Sequence, residues 1–112
     1  MPITHAMNFA DTLKQLPPVT HLAGLQLLDE QGAIAATLEN KPGQAGSVAV
    51  YAALAQRHGG ALTVQAAHEG LVLYAEHTAD ARVHPGKHPN IDRLLALIEA
   101  GGRYTVKLLP AA

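Results

Sequence analysis

The sequence contains no cysteine, which removes disulfide frameworks, thiolate metal sites and cysteine nucleophiles from consideration. It has no tryptophan, one phenylalanine and three tyrosines. A core must therefore be filled by Leu, Ile, Val and many Ala side chains, whose small size lets elements approach closely. An excess of charge is missing too. Eight Lys and Arg against nine Asp and Glu leave a formal net charge of −1, with no basic field to draw a phosphate backbone, so no nucleic-acid partner is expected. The longest apolar run, from Val48 to Ala55, is far too short to cross a bilayer, and no membrane partner is expected. The opening stretch from Met1 to Met7 has neither a basic head nor a long apolar segment. No signal peptide is expected there, and the cytoplasm is the expected compartment.

What is present suits one folded domain over residues 1–112, apolar enough to collapse at 48% hydrophobic and 15% charged residues. Phe9, Leu13 and Leu16 fall on one helical face after Asn8, a capping residue, and Pro17-Pro18 ends that short helix. Side chains alternate from Leu25 to Asp29 and from Ala33 to Glu39, so Leu25, Leu27, Ile34, Ala36 and Leu38 are expected to face the core. Between them Asp29-Glu30-Gln31-Gly32 reads as a hairpin turn closed by glycine. Ser47 is placed to cap a helix running to about Arg57, apolar nearly all round and stopped by Gly59-Gly60.

Val64, Ala67, Leu71, Tyr74, Thr78 and Ala81 recur at three- and four-residue spacings, which predicts a long helix capped by Thr63. The alternative is a second hairpin built from Leu62-Thr63-Val64 and Leu71-Val72-Leu73-Tyr74. The interior Gly70 costs a helix only about 1 kcal/mol, less than such periodicity recovers through packing, so the helix is preferred. Asn90 is placed to cap a further helix with Ile91, Leu94, Leu95 and Ile98 on one face, ended by Gly101-Gly102. From Arg103 to Leu109 the chain alternates again, as a strand with one wet face. The expected fold is α+β in the order α-β-β-α-α-α-β: a three-stranded antiparallel sheet, made of the N-terminal hairpin and the C-terminal strand, covered by helices. The exposed edges of so small a sheet predict a homodimer.

Two loops carry the residues with chemical potential. In the first, Lys41-Pro42-Gly43-Gln44-Ala45-Gly46-Ser47 leads into a helix, whose free N–H groups and partial positive charge suit an anion. It is neither a Walker A loop nor a dinucleotide-binding glycine motif, and the plain alternative is a turn made by Pro and Gly and closed by a capping Ser. In the second, Val83-His84-Pro85-Gly86-Lys87-His88-Pro89 precedes the helix at Asn90. The ligand set expected from the pair is Lys41, Gly43, Gly46, Ser47, Lys87, His88 and Asn90.

His77, Asp80, His84 and His88 form a weaker alternative set for a divalent metal, although Pro85 and Pro89 keep His84 and His88 off one helix and no tight zinc site is expected. A His and Asp pair from the same set could also act as a general base with its orienting partner. Ser47, the only serine, lacks the G-x-S-x-G frame, so acyl-enzyme chemistry is not expected. Tyr51 and Tyr74 read as core residues whose hydroxyls reach a partner. His5, His21, His58 and His68 are scattered and receive no role, and no cofactor is expected.

The segments from Asn40 to Ser47, Tyr51-Ala52-Ala53-Leu54-Ala55, Ala75 to Arg82 and Pro85 to Asp92 together resemble a small family of uncharacterised proteobacterial proteins, over most of the chain. The resemblance implies a bacterial source and assigns no catalytic residue. Three functions remain open at this level. The first is a domain binding a small anionic metabolite at the two Pro-Gly loops. The second is a homo-oligomeric interaction module without a small ligand, and the third a metal-dependent enzyme.

Overall fold

The computed structural model describes residues 8–111; the stretch from Met1 to Met7 read above, with His5, lies outside the described residues. The chain runs α1 (Phe9–Gln15), β1 (Leu22–Leu28), β2 (Ile34–Glu39), α2 (Ala45–Arg57), β3 (Ala61–Leu62), α3 (Val64–Leu73), α4 (Glu76–Val83), α5 (Pro89–Ala100) and β4 (Tyr104–Pro110). No described helix is long and apolar enough to cross a membrane.

The sheet has four strands in the order β2-β1-β4-β3, each antiparallel to its neighbour, in place of the expected three. The extra strand follows from the end of α2. Gly59 and Gly60 both take positive φ, a conformation that costs glycine nothing. They turn the chain so that the Gly60 carbonyl accepts from Val106 N–H at 2.9 Å. Ala61 and Leu62 then pair with Thr105 and Tyr104. Two residues are too few for alternation to show in a sequence.

The second correction concerns the long helix expected after Thr63. Thr63 does cap α3, its hydroxyl accepting from Ala66 N–H at 3.1 Å, and Leu71–Leu73 is helical, so the hairpin alternative does not form. The helix breaks after Tyr74, however, because Ala75 adopts φ +53°. The break is bridged by Thr78, whose buried hydroxyl donates to the Leu71 carbonyl. The spacing of buried residues therefore continues across two helices and hides the break from periodicity. Positive φ strains alanine, and Ala75→Gly is expected to stabilise the protein by about 1 kcal/mol in urea unfolding. A loss of stability would show that the local backbone differs from the one described.

The third correction is at the helix starts. Gln44 and His88 occupy the N-cap positions, leaving Ser47 as the third residue of α2 and Asn90 as the second of α5 behind Pro89. Asn8 caps α1 as expected, accepting from Asp11 N–H at 2.8 Å. The hairpin forms as read: Asp29 Oδ1 accepts from the N–H groups of Gln31 and Ala33, both at 2.9 Å, and Gly32 has φ +83°.

One face of the sheet supplies Leu25, Leu27, Leu38 and Val106 to the core. Over it lies α2, burying Val48, Val50, Tyr51 and Leu54, with α3 and α5 packed behind. Ile34, expected in the core, is 58% exposed. The register between β1 and β2 shifts between Leu27 and Leu28, and Ile34 falls beyond the helical cover at the strand's start.

Candidate functional site

The two Pro-Gly loops face each other across a cleft of about 360 Å³, at the starts of α2 and α5. Gly43, Gly46, Ser47, Lys87, His88 and Asn90 all line it, together with Phe9, Leu13, Tyr74 and His77. Of the seven residues expected to contact a ligand, only Lys41 is not in the lining. Its Nζ pairs with Glu39 Oε2 at 2.8 Å, both side chains more than half exposed, and the Lys41 hydrogen bond holds the Glu39 carboxyl below its ordinary range.

Local structure fixes each wall. The Asn40 amide donates to the carbonyls of Val19 and Leu22, both at 2.8 Å, anchoring the first loop to the entry of β1. A Cβ at Gly46 would lie 3.1 Å from Phe9 Cε2, so its lack of a side chain admits the Phe9 ring onto the first turn of α2. That ring stacks on Tyr74 at 5.3 Å and meets His77 edge-on at 5.1 Å. Phe9 N–H donates to Glu76 Oε1 at 2.7 Å, which ties α1 to α4. Phe9, Leu13 and His77 were not foreseen as lining residues. They come from elements distant in sequence, and only the singularity of Phe9 marked it.

The floor is rigid. The Tyr51 hydroxyl donates to the Asn90 carbonyl and accepts from Arg93 Nη1 at 3.2 Å, and Arg93 also donates to Asn90 Oδ1 at 2.8 Å. Burial pushes the Tyr51 phenol up to about 12 against the opposing Arg93 charge, so it stays protonated. Tyr74 is 3% exposed, and among the described residues its hydroxyl has one partner, Ser47 Oγ at 2.7 Å. Burial raises the Tyr74 phenol further still. Its proton must go to Ser47, because a buried donor without an acceptor is costly. The Ser47 oxygen therefore accepts from Tyr74, and the Ser47 proton is left to donate elsewhere.

Asp80 organises the second loop. Its Oδ2 lies 2.6 Å from His88 Nε2 and 3.0 Å from Lys87 Nζ, and its Oδ1 is 3.1 Å from His84 Nδ1. The hydrogen bonds from His88 and then Lys87 hold the Asp80 carboxyl far below the usual carboxylate range. Gly86 N–H donates to Asp92 Oδ2 at 2.9 Å, closing the loop onto α5. Of the alternative metal set, His77 stands apart from Asp80, stacked in tilted fashion 5.3 Å from the His88 ring. Among the described residues no group of three or more His, Asp or Glu side chains is arranged to hold a metal ion.

The remaining histidines stand elsewhere. His58 Nε2 pairs with Glu69 Oε2 at 2.7 Å, joining the end of α2 to α3, and this bond lowers the Glu69 carboxyl. His21 lines a larger, more apolar groove of about 560 Å³ between Pro17, Pro18, Ala52, Val106 and Leu108. That groove is bigger, but it lacks the charged side chains and helix starts that converge on the smaller cleft.

Residues 9–108 match the family DUF2322, described as an uncharacterized protein conserved in bacteria. The chain belongs to that family. The DUF2322 match spans both loops and every residue of the cleft. No curated protein and no solved structure matches the chain.

Proposed function

We propose that the cleft binds a small anion, and that the chain is a cytoplasmic ligand-binding domain. The observation that carries this reading is the hydrogen-bond polarity of the cleft. Ser47 accepts from Tyr74, so its own O–H is not spent on that bond and can donate into the cleft. Among the described residues no acceptor stands opposite the N–H groups of Gly46, Ser47 and Asn90 in the first turns of α2 and α5. Lys87 adds an exposed cation, paired on one side with Asp80. Two helix starts, a hydroxyl donor and an ammonium converging on one space suit an oxyanion. The ligand set is Gly43, Gly46, Ser47, Lys87, His88 and Asn90, without Lys41.

Calorimetric titration with inorganic phosphate tests this. Lys87→Ala should weaken binding about tenfold, the loss of one charge-assisted contact. It should leave the melting temperature nearly unchanged, since an exposed ion pair contributes little to folding. Lys41→Ala should bind as the wild type does. Equal losses in both variants would mean general charge attraction and not a site.

A second reading, self-association, is favoured by the outer edge of the sheet. β2 carries no charge from Ile34 to Leu38 and has no proline, two of the usual guards against edge pairing. Asn40 N–H bonds to Ala23 O at 2.8 Å, and with Leu25 opposite Leu38 and Gln26 opposite Thr37 the Thr37 N–H points away from β1. We propose a homodimer through this edge. Sedimentation should show a dimer at tens of micromolar, and Thr37→Pro should return a folded monomer. A wild-type monomer at that concentration would remove the reading.

A further inference from the structure

His88 holds the N-cap position of α5, its carbonyl accepting from the N–H groups of Ile91 and Asp92, yet its side chain makes no hydrogen bond to the helix's first turn. Its ring is turned the other way, with Nε2 2.6 Å from Asp80 Oδ2. Asp80 is kept ionised by company on both oxygens, Lys87 Nζ at 3.0 Å and His84 Nδ1 at 3.1 Å. An ionised carboxylate only accepts, so Nε2 must carry a hydrogen. In the neutral ring the lone pair is then on Nδ1, for which no described residue supplies a partner. The charged and titratable groups around this ring are Asp80 and His77 from α4, His84 and Lys87 from the loop after it, and Asp92 and Arg93 from α5. Asp92 is engaged by Gly86 N–H, and Arg93 by Asn90 and Tyr51. None of them is bonded to Nδ1.

Resting on the anion reading, we infer that the cleft selects an oxyanion that carries its own O–H, hydrogen phosphate being the simplest, over proton-free anions of the same charge and size. The donors of Ser47, Gly46, Asn90 and Lys87 hold the bare oxygens. The lone pair of His88 Nδ1 accepts the ligand's O–H, and Asp80 is the positioning residue that keeps that lone pair available. Sulfate offers Nδ1 nothing to accept, and at close range its oxygen meets the lone pair head-on.

The test compares phosphate, sulfate and methyl phosphate by calorimetric titration of the full chain. At about pH 8 all three are mainly dianions, but only phosphate keeps an O–H. Phosphate should bind about tenfold more tightly than the other two, the worth of one satisfied against one unsatisfied hydrogen bond. Asp80→Asn should reduce the alkaline preference to within about threefold. Because that variant also loosens the loop, nitrogen spectra of the wild-type imidazoles provide an independent reading: His88 should carry its hydrogen on Nε2 at alkaline pH. Equal binding of phosphate and sulfate at about pH 8 would overturn the selectivity and leave the anion site standing. An Nδ1–H tautomer, or full preference in Asp80→Asn, would also overturn it. No binding of any of the three would bring down both the inference and the site.

Discussion

Gly24→Ala is expected to be among the most damaging single-methyl changes in this protein, costing about 3 kcal/mol or more. Gly24 sits in β1 between Glu39 of β2 and Leu109 of β4, next to a register shift against β4. A Cβ there would lie 2.2 Å from the Leu38 carbonyl oxygen and 3.2 Å from Glu39 Cα. Both are backbone atoms of a paired strand, so relief requires the hairpin to move as a unit, and no rotamer change provides it. Urea unfolding of the purified variant measures the loss. Stability within about 0.5 kcal/mol of wild type would mean that β1 and β2 are not paired in this register.

Leu54→Ala should cost about 3 kcal/mol, since Leu54 is fully buried at the centre of the core and its removal leaves a cavity as well as losing transfer energy. Its neighbour makes the expectation sharper. A Cβ at Gly70 would stand 2.9 Å from Leu54 Cδ1 and 2.8 Å from Leu94 Cδ1, so α3 lies against α2 and α5 with no room for a methyl. Gly70→Ala should therefore cost less in the Leu54→Ala background than in the wild type, because one of its two clashes is gone and alanine favours the helix by about 1 kcal/mol. Strict additivity in a double-mutant cycle would contradict the close approach of α2 and α3.

The sequence made legible those features that local chemistry controls. Asn8, Thr63 and the Asp29–Gly32 turn act as read, because a cap or a tight turn is settled within a few residues. The Pro-Gly composition of the two loops also marked where the chain leaves helices, and six of the seven residues singled out in them line one cleft. Other features depend on contacts that no window of sequence contains. β3 exists because Gly60 and Val106 meet, and the break at Ala75 is masked by an unbroken burial rhythm. Ser47 reads as a cap, but its hydroxyl is engaged by Tyr74 from α3's end, 27 positions away. Lys41 opens the first loop, yet Glu39, two residues before it, holds its side chain in an ion pair. The Asp80 cluster was legible in composition only. That His88 and Lys87 share one oxygen, while His77 joins an aromatic row with Phe9, follows from how α4 meets α1 and the loop before α5.

The central claim is that the space between the starts of α2 and α5 is an anion site, and nitrogen–proton spectra recorded during a phosphate titration test it most directly. Saturable shifts should concentrate on the backbone N–H groups of Gly46, Ser47 and Asn90, with the signals of Lys87 and His88 moving at the same midpoint. Spectra that do not change, or shifts that gather instead around Val19, Leu22 and Val106 in the larger groove, would contradict it.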